Sequence, residues 1–135
     1  MSNTAELIAR FLQAGPYAVV GASRARHKYG NKVLRAYQQR GLEVYPVHPS
    51  EPQIEGLKAY PDLKSLPARP HGVSNITPPE ITERIVKEAA EAGAEFVWMQ
   101  PGAESPRAIE IAHQLGLGVI ADGSCFLVVA GYREG

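Results

Sequence analysis

Cysteine is almost absent from this chain. Cys125 stands alone among 135 residues, which excludes an internal disulfide and leads us to expect a reducing, cytoplasmic setting. No apolar run approaches membrane-spanning length, and the polar, amphipathic N-terminus has no signal-peptide core, so no membrane partner is expected. Net charge is absent too: 14 Lys and Arg balance 14 Asp and Glu, which argues against nucleic acid or an acidic membrane surface as partner. Metal-ligand spacing is missing. His27, His48, His71 and His113 stand apart from one another, and no carboxylate or thiol lies in motif with them. What remains, 44% hydrophobic and 21% charged residues, is the composition of an ordinary globule, one domain over residues 1–135 with a single genuine core.

The stretch from Tyr17 to Gly30 stands out against these absences. Tyr17 to Val20 is apolar without polar alternation, which predicts a short buried strand of a parallel sheet. Gly21 ends it, and a helical pattern begins near Asn31. Between them lie Ala22, Ser23, Arg24, Arg26, His27, Lys28, Tyr29 and Gly30. A strand–loop–helix of this kind suits a phosphate, because loop amides and a helix N-terminus offer donors and glycine lets the backbone come close. An ordinary βα turn with solvated basic side chains is the alternative, but the clustering of four basic or potentially basic residues favours an anion. The loop is not the dinucleotide fingerprint G-x-G-x-x-G: Ser23 replaces its second glycine and Gly30 falls too late for the third. The acid that holds ribose hydroxyls in NAD sites is also missing. Glu43 precedes the strand Val44–Val47, and its tip reads Val47-His48-Pro49-Ser50. A plain NAD site is therefore disfavoured.

Elsewhere apolar residues recur at helical spacing. Leu7, Ile8, Phe11 and Leu12 predict a helix over 4–14, with Asn3 and Glu6 as a capping box and Gly15 at its end. Val33, Leu34 and Tyr37 predict a second helix, and Ile81, Ile85, Ala89 and Ala92 a third. The third is expected to start on Thr77 as cap with Pro78 in the first helical position. Ser105-Pro106 opens a fourth. Further strands are predicted at 43–47, 72–76, 95–99 and 117–121. The proline-rich 49–70 reads as irregular, and Phe126 to Ala130 is ambiguous between strand and helix. Strands alternating with helices predict an α/β Rossmann-like domain: a five-stranded parallel sheet, order 3-2-1-4-5, with helices on both faces. Ligands in such sheets bind beyond the carboxyl ends of the strands at the topological switch point. That rule gathers Gly21–Gly30, Val47–Ser50, Ile76–Pro79 and Met99–Gly102.

These tips carry no carboxylate pair for acid–base work. Asp122 reads as a turn cap, and Ser23 as a hydroxyl donor to phosphate, since no paired base marks it as a nucleophile. Trp98 and Met99 are core or pocket wall. Cys125 is either a small buried hydrophobe or a thiol at the edge of the site. A rigid, mostly apolar groove of this kind binds, and no catalytic set is evident.

The segments V-V-G-A-S-R, K-Y-G-N-K, Y-P-V-H-P, Y-P-D-L-K-S-L-P, T-P-P-E and F-V-W-M-Q-P-G-A-E-S, in this order, resemble the small bacterial CoA-binding-domain proteins. These are similar to a free-standing N-terminal CoA-binding domain of the succinyl-CoA synthetase α subunit. The resemblance implies a Rossmann-type domain that holds coenzyme A, or an acyl-CoA, with the ADP moiety over the first loop. Carried across, Gly21, Ser23, Arg24 and Lys28 would meet phosphates, with Ala22, Tyr29 and Gly30 completing the loop. Val47, His48 and Pro49 would line the adenine side, Thr77, Pro78 and Pro79 would flank the nucleotide, and Gln100, Pro101 and Gly102 would border the pantetheine route. Two positions depart from the pattern: His48 replaces the usual Asn of the V-N-P tip, and Asp122-Gly123-Ser124-Cys125 replaces the usual D-R-C. An NADP-dependent oxidoreductase and a non-catalytic subunit of a multi-chain CoA ligase or acyltransferase are the alternative readings.

Overall fold

In the computed structural model, which describes residues 3–134, strand β1 (Tyr17–Val20) is the hinge of the sheet. It pairs in parallel with β2 (Val44–Val47) on one side and with β5 (Gly72–Asn75) on the other, Tyr17 lying opposite both Val44 and Gly72. The sheet continues through β6 (Phe96–Met99) to β7 (Gly118–Ile120), giving the order β2-β1-β5-β6-β7. A two-stranded hairpin of β3 (Gln53–Ile54) and β4 (Leu57–Lys58) stands apart, and Tyr60 then makes a single parallel bridge to Val47 on the outer side of β2. Counting that bridge as a strand gives 3-2-1-4-5-6, so the expected course 3-2-1-4-5 is kept around β1, but the third place belongs to the bridge at Tyr60, and Gly72–Asn75, expected third and beyond β2, lies fourth and beside β1. The switch point therefore lies between β1 and β5.

β1 shows why its sequence lacks alternation. Tyr17 and Val19 face one core, shared with Phe11, Leu34, Tyr37, Trp98 and Phe126. Ala18 and Val20 face the other, with Val73, Ile85, Val97, Met99 and Ile111. The first core is covered by α1 (Thr4–Leu12), α2 (Tyr29–Gln39) and α5 (Phe126–Ala130), the second by α3 (Pro79–Glu91) and α4 (Pro106–Gln114). A strand buried on both faces has no use for polar residues.

The caps follow local chemistry. Asn3 accepts from the Glu6 amide at 2.8 Å and Ser105 from the Ala108 amide at 2.9 Å, so α1 and α4 begin where side chains can satisfy orphan donors. Two boundaries differ from expectation. α1 closes at Gln13, before Gly15. In α3 the cap is Pro78, with ψ at 147°, and Pro79 is the first helical residue. The reason is the double proline, since a residue before proline is pushed out of the helical region. Thr77 instead turns its hydroxyl to that of Thr82, 2.6 Å away. The ambiguous stretch near the end is the helix α5, closed by Gly131 at φ 68°.

Tyr37 is fully buried, its hydroxyl 2.6 Å from that of Ser74, and burial drives its pKa far above the ordinary 10.0. The folded chain thus holds this proton when the unfolded chain releases it. Stability from Tyr37 should be complete below about pH 10 and should fall as pH rises further. Alkaline unfolding should start later in Tyr37→Phe than in the parent once their neutral-pH stabilities are matched by denaturant. Val19→Asp should unfold the domain at neutral pH, as an unpaired charge in a strand covered on both faces costs several kcal/mol, of the order of total stability. Circular dichroism with denaturant titration checks both.

Candidate functional site

At the switch point three pieces of backbone meet with no side chain between them. Gly21 has φ 96°, and a Cβ built there would lie 2.0 Å from the Ile76 carbonyl oxygen at the end of β5. A Cβ on Gly30, in the first turn of α2, would lie 2.1 Å from the Gly21 carbonyl oxygen. Gly30 therefore provides the close helix–strand packing that the third glycine of a dinucleotide fingerprint provides, although its spacing differs. Gly21 was expected to make way for a ligand; its first duty is to make way for Ile76.

The loop between these glycines is held from beneath. Asn31, fully buried, donates to the Ser23 carbonyl at 2.8 Å and to the Glu55 carboxylate at 2.9 Å. Its own side-chain oxygen accepts from Arg35 at 2.7 Å, and Arg35 also donates to the Arg26 carbonyl at 2.9 Å. Ser23 spends its hydroxyl oxygen on the Ala25 amide at 3.1 Å. Arg24 pairs with Glu51 at 3.3 Å and Arg26 with Glu55 at 3.4 Å, both arginines well exposed. The β2 tip is thus less free of acid than its four residues suggest, since Glu51 follows them directly. Lys28, exposed at the cap of α2, has no acidic side chain within ion-pairing distance among the described residues. Sequence reading missed Asn31, Arg35, Glu51 and Glu55 as organisers of the loop. Only the K-Y-G-N-K segment hinted at Asn31.

Two clefts flank this loop and share Thr77. One, about 450 Å³, runs over the strand tips beside β2: Gly21, Val47, Pro49, Leu63, Thr77 and Ile81 line it, with Arg84, Glu88 and Asp62 at its border. The other, about 460 Å³, lies toward α5 and is lined by Tyr29, Thr77, Pro78, Pro101, Gly102 and Cys125, with Ile76 and Ala103 behind. The structure thus gathers Gly21, Val47, Pro49 and Thr77 at the first, and Tyr29, Thr77, Pro78, Pro101 and Gly102 at the second. Ser23, Arg24 and Lys28 stand on the loop, while Ala22 and Gly30 are buried beneath it. Pro79 opens α3. His48 turns its ring inward: Nδ1 accepts from the Ser50 and Glu51 amides at 3.1 and 3.0 Å, so it shapes its own turn.

Gln100 is fully buried and forms wall. Its Oε1 accepts from the Tyr29 hydroxyl at 3.0 Å and from the Phe126 amide at 2.8 Å, while Nε2 has no partner. The Tyr29 hydroxyl also lies 2.7 Å from the Cys125 sulfur. Burial first, and the Cys125 contact second, hold the Tyr29 hydroxyl well above the usual phenol range, so it keeps its proton at neutral pH. Asp122 caps a turn, accepting from the Ser124 hydroxyl at 2.6 Å and amide at 3.1 Å, which pulls its carboxyl below 3.8. Trp98 belongs to the core, its indole donating to the Ser124 carbonyl at 3.0 Å. No group of three or more potential metal ligands occurs among the described residues.

The model of the CoA binding domain family matches residues 16–130, which includes the loop, both clefts and every strand of the sheet. The chain belongs to this family. The CoA-binding domain is 30% identical over 105 residues to the uncharacterized protein YneT of Bacillus subtilis, covering 78% of each chain. It is also 30% identical over 114 residues to the alpha subunit of an ADP-forming acetate–CoA ligase from Pyrococcus furiosus. That match covers 76% of this chain but spans only 25% of the ligase subunit. Among solved structures, a conserved hypothetical protein from Pyrococcus furiosus superimposes with a TM-score of 0.79 at 38% identity, over 84% of this chain and 97% of that one.

Replacing glycine by alanine inside a helix ordinarily stabilises by about 0.5–1 kcal/mol. Gly30→Ala should do the opposite here, lowering the denaturation midpoint, because the new methyl strikes the Gly21 carbonyl. Asn31→Ala should cost about 1–3 kcal/mol by leaving buried partners unsatisfied. Its amide hydrogen exchange should quicken at residues 23–26 more than in the sheet.

Proposed function

We propose that this CoA-binding domain binds coenzyme A or an acyl-CoA through its ADP moiety, and that binding, not turnover, is what the chain itself supplies. The observation that carries this reading is the pair of clefts meeting at Thr77 on either side of a basic loop. Coenzyme A has the matching order of parts: a flat base, a run of phosphates, and a long, weakly polar arm. In this reading the base lies between Val47, Pro49 and Ile81. The phosphates lie over Gly21 to Lys28, near the α2 N-terminus, where backbone donors and positive potential favour anions. The arm passes Pro78, Pro101 and Gly102. Lys28, with no carboxylate to compete, is the cation assigned to the 3′-phosphate. Arg24 must first leave Glu51 to take part.

The match to part of an ADP-forming ligase subunit favours one further reading, in which the chain acts as the CoA-holding component of a multi-chain ligase or acyltransferase. Co-purification of a stoichiometric partner chain is its test.

Calorimetric titration with coenzyme A, dephospho-CoA and NAD separates the possibilities. Coenzyme A should bind most tightly, dephospho-CoA less so, and NAD weakly or not at all. Losing one charge-assisted contact costs about 1.5–3 kcal/mol, roughly ten- to a hundredfold in affinity. Lys28→Ala should weaken coenzyme A by that factor and dephospho-CoA much less. Tight NAD or NADP binding without a coenzyme A signal would return the chain to the oxidoreductase class.

A further inference from the structure

The segment that follows α5 is tied to the loop between Gly21 and Gly30 through one face of α2. Asn31, Arg35 and Gln39 stand four residues apart along that helix and so share the face. Asn31 holds the loop by the Ser23 carbonyl, and its side-chain oxygen accepts from Arg35 Nε at 2.7 Å. Arg35 Nη2 reaches the loop itself, donating to the Arg26 carbonyl at 2.9 Å. At the far end of the face Gln39 grips the backbone of Arg133 twice. Its Nε2 donates to the carbonyl at 2.8 Å, and its Oε1 accepts from the amide at 3.1 Å.

The close of α5 aims the segment there. With Gly131 in the left-handed region, the Tyr132 amide returns to the Leu127 carbonyl at 2.9 Å, and the Gly131 amide to the Val128 carbonyl at 3.2 Å. Tyr132 then faces Arg35, its ring centroid 5.5 Å from the guanidinium carbon. Its hydroxyl donates to Glu134 Oε2 at 2.6 Å, and Glu134 Oε1 stands 3.6 Å from Arg35 Nη2.

Arg35 is where loop and segment meet. Its guanidinium is buried, and both of its hydrogen-bond acceptors, the Asn31 carboxamide and the Arg26 carbonyl, are neutral. Among the described residues, Glu134 is the one carboxylate in ion-pairing contact with it. A buried cation needs a counter-charge, and here that charge arrives from a segment far along the chain. Without it the guanidinium gains by turning toward water, which releases the Arg26 carbonyl and the Asn31 oxygen together.

We propose that Tyr132–Glu134 is a strap that positions the loop for its anion, with Arg35 as the positioning residue between the two. The identity of the anion rests on the coenzyme A reading above; the hold on the loop does not. Neither Arg35 nor a residue of the strap lines either cleft, so the strap acts on a ligand only through the shape of the loop.

The test is amide hydrogen exchange by NMR in the full chain, in Tyr132→Leu, in Glu134→Gln and in a chain ending at Gly131. The reporters are the amides of Ala25 and Lys28, bonded within the loop to the Ser23 hydroxyl oxygen and the Ala25 carbonyl. In the shortened chain both should exchange at least about fivefold faster than in the parent, a larger factor than for the amides of β1 and β6. Tyr132→Leu and Glu134→Gln should show the same bias toward the loop to a lesser degree, and they carry the test if the shortened chain does not fold by circular dichroism. Coenzyme A affinity, read by calorimetry, should fall several-fold wherever the loop has quickened. Unchanged loop exchange, quickening no greater in the loop than in the sheet, or unchanged affinity beside a quickened loop overturns the inference. A parent that binds no coenzyme A refutes the proposed function instead, and loop exchange alone then decides the strap.

Discussion

Everything at the carboxyl ends of the strands depends on one steric constraint, the contact of backbone with backbone at Gly21. Its missing side chain lets the Ile76 carbonyl approach from β5, and the missing side chain of Gly30 lets α2 rest on the Gly21 carbonyl. A side chain at either position would push β1, β5 and α2 apart at their common corner. The two clefts share Thr77 because those three elements converge so closely. The left-handed φ of Gly21 belongs to the same constraint, since it turns the chain from the strand into the loop at once.

Much of the fold is legible in the residues because it is set by short-range rules. The four apolar residues before Gly21 read as a strand covered twice because glycine stops the run at strand length, and Ser105 before Pro106 leaves little choice for the start of α4. Where two local signals compete, reading falters. Thr77 and Pro78 both carry the marks of a helix start, and the steric effect of Pro79 on its predecessor decides between them. The fourth place of Gly72–Asn75 in the sheet was hidden for another reason: the strand that precedes it is reduced to the bridge at Tyr60, too short to show a period.

The site was legible in outline and not in its supports. Gathering the strand tips follows from topology alone, so Val47, Pro49, Thr77 and Gly102 could be named from sequence. Asn31, Arg35 and Glu55 could not, because partners such as Glu55 for Asn31 and Glu134 for Arg35 are distant in sequence and buried polar pairing has no period. Gln100 was read as a residue along the ligand's route, whereas its oxygen is spent on Tyr29 and on α5. The charges of the loop were read as a sum, yet Arg24 and Arg26 already face carboxylates. Local potential here is a balance among neighbours, and Lys28 is what the described ion pairs leave over.

The hairpin of β3 and β4 looks on paper like surplus chain, a small excursion in a proline-rich stretch. In the fold Ile54 is buried, Glu55 sits at φ 50° where glycine or asparagine would be more at ease, and its carboxylate reaches both Asn31 and Arg26. The backbone strain is held in place by contacts to Arg26 of the loop and to Asn31 at the start of α2, not by the hairpin itself. A lineage could therefore reshape the loop between Gly21 and Gly30 by changing the hairpin's length or tip, without altering a single residue of the loop itself. The least regular segment of the chain is in that sense its adjusting screw.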